Sequence, residues 1–194
     1  MIDSIHDTFR ESLAVIGETA VKQAYVLEDI ARIVYNCMSV GNKLLICGNG
    51  GSASQADHLA AEFLVRLKPD VNRKPWPAIS LNMDMATLTA CSNDYGYAQH
   101  FARVVEALGH VDDVLMVIST SGESPNLYPA LCEAQNTLMK TVGLFGAKET
   151  VISARCDIAF HVQSDNVARI QEVHAIACHV IAEQVETLLL NEGV

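Results

Sequence analysis

Basic residues are scarce in this chain. Thirteen lysines and arginines stand against 23 aspartates and glutamates, giving a net charge of −10 over 194 residues. That balance excludes a general nucleic-acid surface, because the phosphate backbone is gripped through lysine and arginine. No run approaches the roughly 18 uncharged residues that a bilayer span needs, so no membrane partner is expected. Residues 1–7 are acidic and polar, where a signal peptide is basic and then apolar. The six cysteines (Cys37, Cys47, Cys91, Cys132, Cys156, Cys178) form no CxxC pair and sit mostly in apolar stretches. This excludes a disulfide framework and reads as reduced core thiols of a cytoplasmic protein. Internal repeats, low-complexity tracts and linkers are also missing. A single domain over 1–194 follows, with half its residues hydrophobic and long enough to bury a core.

What is present is an alternation. Residues 4–38 carry apolar side chains at helical spacing, with Gly17 as a possible break. Short apolar runs then fall at 43–47, 78–81, 113–119, 140–145 and 157–162. Helical stretches fall between and after them, at 52–67, 83–92, 97–108, 125–138 and 167–190. Near-continuous apolar strands separated by helices predict an α/β fold with a parallel sheet covered on both faces. Residues 67–77, with Pro69, Pro75 and Pro77, read as an irregular surface loop. The last helix is apolar around much of its circumference, as a helix buried by several neighbours must be. With the N-terminal helix it points to a helical subunit interface and a homo-oligomer.

Two turns carry the candidate chemistry. The first is Cys47-Gly-Asn49-Gly50-Gly51-Ser, between the first strand and a helix that bears His58 and Glu62. A Gly-rich strand-to-helix turn aims backbone N–H groups at an anion. His58 and Glu62, four residues apart, share one helix face, as a metal-ligand or acid/base pair would. An arbitrary HxxxE is usually a surface contact; its place directly after the turn argues otherwise here. The second turn, Ser119-Thr120-Ser121-Gly122-Glu123-Ser124-Pro125-Asn126, repeats the logic. Ser124 suits an N-cap with Pro125 at the first helical position, and four hydroxyls beside helix amides suit phosphate without a lysine. Both turns fall at strand C-terminal ends, where open α/β sheets bind ligands. A third cluster, 168–179, places Arg169, Gln171, Glu172, His174 and His179 at the start of an apolar helix. Gln171 and His179 lie about 80° apart around it, while Glu172 and His174 read as structural polar groups. Residues 89–97 read as a polar turn between helices.

Taken together, the run 47–63, the segment 86–97, Ile118-Ser-Thr-Ser-Gly-Glu-Ser-Pro-Asn126 and Ala168-Arg-Ile-Gln-Glu-Val-His174 resemble the sugar isomerase (SIS) domain family. The resemblance is to its phosphoheptose isomerase branch and spans essentially the whole chain. It implies a three-layer α/β/α sandwich around a five-stranded parallel sheet, of flavodoxin or Rossmann type, plus a long N-terminal helix. It also implies a homotetramer with active sites between subunits, residues 1–40 forming part of the interface. The implied reaction converts sedoheptulose 7-phosphate to D-glycero-D-manno-heptose 7-phosphate, the entry to ADP-heptose for the lipopolysaccharide core. By position, Asn49, Gly50, Gly51, Glu62, Asn93, Asp94 and Gln171 would contact the sugar. Ser119, Thr120, Ser121 and Ser124 would hold the phosphate. His58, Glu62, Gln171 and His179 match the family's zinc-binding positions, one ion per subunit, and Glu62 and His179 its acid/base pair.

Those residue types suit an enediol route, which needs a base at carbon, a proton shuttle between oxygens and a stabilised oxyanion. Two departures stand out. Glu123 puts a carboxylate where the family often has Asn, and is expected to point to solvent. Ala168 stands where some members have Asp. A non-catalytic paralogue that binds the replication initiator DnaA is the alternative. It lacks the Glu and His that this chain keeps at Glu62 and His179. A sugar-phosphate-sensing regulator is a third reading, against which the absence of a DNA-binding segment counts.

Overall fold

The computed structural model describes residues 1–82 and 84–191. Five parallel strands, β1 (Leu44–Gly48), β2 (Ala78–Ser80), β3 (Val114–Ser119), β4 (Lys140–Phe145) and β5 (Ile158–His161), form one sheet in the order β2-β1-β3-β4-β5. Successive side chains on a strand point to opposite faces, and here both faces are covered. Leu44, Ile46, Met116, Ile118 and Leu144 pack under α1 (Ile2–Ser39), α2 (Gly51–Leu64) and α6 (Val167–Asn191). Leu45, Cys47, Leu115, Val117 and Phe145 pack under α4 (His100–Leu108) and α5 (Leu127–Asn136). The strands are continuously apolar because neither face meets water, and the three-layer architecture follows.

The chain runs from β1 outward to β2, then returns to β3 on the other side of β1 before continuing to β4 and β5. The direction of winding therefore reverses between β1 and β3, whose ends are paired at Gly48 and Ile118. A crevice opens at such a switch point, at the carboxyl ends of the strands. The two turns singled out in the sequence flank it.

Several expectations are corrected by the packing. Gly17 does not interrupt α1, which runs for 38 residues, about 57 Å at 1.5 Å per residue. One interior glycine costs a helix only about 1 kcal/mol, and this helix recovers it through its buried stripe from Val15 to Met38. Its first turns reach beyond that contact, leaving Ile2, Ile5, Phe9 and Leu13 exposed. The expected polar turn at 89–97 is helical as far as Asp94, since α3 spans Met85–Asp94 with Asp84 as its cap. Residue 83, where that helix was expected to start, lies outside the described residues. The loop before β2 is not purely surface, because Trp76 is 2 % exposed and the Arg73 side chain is equally enclosed. By length and composition alone, α6 could cross a bilayer, but half of that apolar window is buried within the fold, which is the state of a core helix.

His174 on α6 is fully buried, with its Nε2 donating to the Phe145 carbonyl at 3.2 Å. Desolvation pushes its pKa down to about 4 from 6.5, against the weaker opposing effect of that hydrogen bond. In the unfolded chain the ring takes up a proton near its ordinary value, so the folded state binds fewer protons between the two. Stability is therefore full above pH 6.5 and falls as pH drops toward 4, by about 1.4 kcal/mol per pH unit from this group. Urea titrations across that range should show this slope, and His174→Gln should flatten it by about one proton.

Candidate active site

The Gly-rich turn forms because Gly50 takes φ +57°, a conformation that side chains resist. The chain then enters α2 with no side-chain cap. Asn49 is held by a reciprocal amide pair with the buried Asn126: Nδ2 donates to Asn126 Oδ1 at 2.9 Å, and Oδ1 accepts from Asn126 Nδ2 at 3.0 Å. The Tyr97 hydroxyl donates to the same Asn49 oxygen. Each turn thereby orients the other across the switch point.

This pairing explains why the second turn differs from expectation. Ser124 is not the N-cap and Pro125 does not open the helix. Instead α5 starts at Leu127 with Asn126 at its cap position, and Asn126 makes no cap bond because its amide is committed to Asn49. Ser119 ends β3, buried, its Oγ accepting from the Gly122 N–H at 3.0 Å. Ser121 Oγ accepts from the Glu123 N–H at 3.2 Å. Thr120 and Ser121 line a cavity of about 220 Å³ that also meets Glu123, Lys148, Ser164 and the start of α6 at Val167. Unlike α2 and α5, α6 is capped there, by Asn166 Oδ1 accepting from the Ala168 N–H. Glu123 points outward, as expected, and pairs with Lys148 at 2.6 Å, which holds its carboxyl below the usual carboxylate range. The turn's own carboxylate is thus matched by a cation at the cavity rim.

On α2, His58 and Glu62 project toward α6. His58 Nε2 lies 3.3 Å from Glu62 Oε1 and 3.0 Å from His179 Nε2 of α6. One ligand atom from each of the three residues falls within a 4.8 Å cluster. Two imidazole nitrogens 3.0 Å apart either share one N–H between them or turn both lone pairs to a common cation. Glu62 Oε2 is buried with no hydrogen-bond partner among the described residues. Two imidazoles and a carboxylate are the donor set of a zinc-type ion. Ligand atoms bonded at about 2.0–2.2 Å to one ion stand roughly 3.4 Å apart, near the spacings observed. The residues present therefore fit a divalent cation. Gln171, eight residues before His179 on α6, lies instead against the start of α2, and no contact among the described residues joins it to the cluster. Its side-chain amide rests on Gly51, where an added Cβ would come within 2.5 Å of Nε2, and its backbone carbonyl accepts from Gln55 Nε2 at 2.7 Å.

The structure thus gathers Asn49, Gly50, Gly51, His58, Glu62, Gln171 and His179 around the α2–α6 seam, and Ser119, Thr120, Ser121 and Ser124 along the adjacent turn. Asn93 and Asp94 stand apart, exposed at the end of α3 and bonded to each other at 2.8 Å. Tyr97, three residues beyond Asp94, is what bonds to the turn, at Asn49. Asn126 and Tyr97 were missed as site residues. Their signal was weak, since a lone Asn before a helix reads as a cap and a lone Tyr as packing.

Known proteins resemble this chain over most of its length. Residues 8–146 match the SIS domain family model. A phosphoheptose isomerase from Roseiflexus sp. (strain RS-1) is 45 % identical over 186 residues, covering 96 % of this chain and 93 % of the relative. One from Thermodesulfovibrio yellowstonii is 40 % identical over 189 residues, covering 97 % and 93 %. The solved structure of a phosphoheptose isomerase from Francisella tularensis superposes with a TM-score of 0.89 at 36 % identity, covering 96 % of this chain and 98 % of that one.

Proposed function

On the premise that the chain belongs to the SIS domain family, with phosphoheptose isomerases as relatives along its whole length, we propose that it interconverts sedoheptulose 7-phosphate and D-glycero-D-manno-heptose 7-phosphate. The observation that carries this reading is the convergence of His179 on α6 with His58 and Glu62 on α2, the helix that leaves the Gly-rich turn at the switch point. The relatives named above give the initiator-binding alternative no support.

In this reading Ser119, Thr120, Ser121 and Ser124 take the phosphate, and the 49–51 turn, with Gln171, Asn93 and Asp94, takes the sugar end. Glu62 removes a proton from C1 of the ketose while His179 gives one to the C2 oxygen, yielding an enediol. His179 then takes the proton from the C1 oxygen, and Glu62 returns its proton to C2. One C–H bond is broken and one formed, so no electrons leave the substrate. An ion held by His58, Glu62, Gln171 and His179, zinc by the donor types, would supply Lewis acidity at the adjacent oxygens.

The two histidines are exposed in the single chain, which suits a site completed by other subunits. The exposed stripe Ile2, Ile5, Phe9, Leu13 and an apolar groove of about 420 Å³ between α1 and α6 support a homotetramer. Unpaired cysteines suit a cytoplasmic compartment, and the product suits ADP-heptose and lipopolysaccharide core synthesis. The test is turnover of sedoheptulose 7-phosphate by purified protein, followed by the appearance of aldose signals in the NMR spectrum, before and after chelation. Turnover that falls on chelation and returns with Zn²⁺ is expected. Absence of any aldose would reject the reading, and full activity after verified metal removal would reject the ion alone.

A further inference from the structure

The loop between α2 and β2 carries one side chain that touches both helices of the site without reaching the site itself. Arg73, with 2 % of its side chain exposed, donates from Nη2 to the Glu62 carbonyl at 2.6 Å and from Nη1 to the Phe63 carbonyl at 2.9 Å. These are two of the last carbonyls of α2, which lack partners within the helix and draw positive charge. Arg73 Nε donates to Glu186 Oε2 on α6 at 2.7 Å, where the carboxylate is 3 % exposed. A further Nη1 contact reaches the Lys74 carbonyl at 3.1 Å, and the guanidinium lies 3.8 Å from the centre of the buried Trp76 ring.

The placement of these contacts gives them a consequence for the site. Glu62 offers its carbonyl to Arg73 and its carboxylate to the His58/His179 cluster. Glu186 lies seven residues beyond His179, two turns along the same side of α6. One planar fork therefore fixes the height of α2 against α6 close to where Glu62 and His179 meet. A lysine could satisfy one of these acceptors but not two helix carbonyls and a carboxylate in fixed directions.

We propose that Arg73 is a positioning residue, which sets the relative placement of Glu62 and His179 through the Glu62 and Phe63 carbonyls and Glu186. This rests on the functional reading above, in that the cluster it positions is taken as the working site. The test compares full-length Arg73→Met, Arg73→Lys and Lys43→Met well below their unfolding midpoints. Lys43 forms a part-buried pair with Asp113 at the opposite end of the sheet, so its loss reports destabilisation alone. Two quantities are read: kcat and KM for sedoheptulose 7-phosphate, and Co²⁺ affinity from its visible absorption.

Arg73→Met should lower kcat and Co²⁺ affinity each by about 10- to 100-fold, the scale for groups supporting metal ligands, with KM little changed. Arg73→Lys should recover only part of this, and Lys43→Met should leave both near wild type. Wild-type-like kcat and Co²⁺ affinity in Arg73→Met, or equal losses in Lys43→Met, would overturn the proposal. Wild-type protein that binds Co²⁺ without turning over the sugar would reject the functional reading, and the Co²⁺ arm would still decide Arg73. Turnover without Co²⁺ binding would leave the decision to kcat, and a wild type showing neither would overturn both.

Discussion

Glu62→Gln should lower kcat for sedoheptulose 7-phosphate at least about a hundredfold, and His179→Gln should do the same, on the scale of a lost general acid or base. A hundredfold corresponds to about 2.7 kcal/mol of transition-state stabilisation, which is much for one isosteric change in a group that supports no fold contact. Glu62 is suited to that test because its Oε2 bonds nothing among the described residues and its Oε1 faces the His58/His179 cluster. The amide of Gln fills the same space without basicity. His179 is exposed, and its Nε2 contact is with His58, so its replacement should leave the unfolding midpoint nearly unchanged. With both groups in one proton-transfer cycle, as proposed, the double variant should lose little more than either single one. Steady-state rates with melting curves for all three decide this. Wild-type rates in either single variant would remove that residue from the chemistry.

Gly48→Ala should destabilise the fold strongly. An added Cβ would stand 2.8 Å from Ser52 Cβ, 2.9 Å from the Ser52 carbonyl carbon and 2.9 Å from the Ile118 carbonyl oxygen. Two of these are backbone atoms, one in α2 and one in the neighbouring strand, so no rotamer change relieves the contact. Either β1 parts from β3 or α2 moves away, and either displaces the 49–51 turn. Overpacking of this kind costs about 3 kcal/mol, or a fall in Tm of roughly 6–12 °C for a chain this long. Thermal melts followed by circular dichroism measure it, and a Tm within a degree or two of wild type would show that the turn accommodates a methyl group.

The sheet was legible because a parallel sheet covered on both faces writes each strand as a plain apolar run, as in Leu44–Gly48 and Val114–Ser119. Helix ends were less legible, for particular reasons. Ser124 and Pro125 read as a cap because local capping chemistry favours them, but α5 begins later, where Asn126 trades its cap bond for the pair with Asn49. That trade depends on a residue 77 positions away, which no local pattern carries. The same holds for Arg73. Its Pro-rich surroundings read as surface loop, and only the folded chain shows it enclosed between the end of α2, Glu186 and Trp76. His58 and Glu62 could be paired from their spacing alone, whereas their meeting with His179 is a property of helix packing. The resemblance to the family anticipated that meeting, but the local pattern of α6 did not.

The central claim is that the hydroxyl-rich turn after β3 holds a phosphate while the α2–α6 seam moves protons at the other end of the same sugar. The most direct measurement compares kcat/KM for sedoheptulose 7-phosphate and for unphosphorylated sedoheptulose with the same protein. The account predicts aldoheptose 7-phosphate from the first, and at least about a hundredfold lower kcat/KM for the second, since binding energy from the remote phosphate is spent at the reacting carbons. Equal values for the two sugars, or no aldose from either, would contradict it.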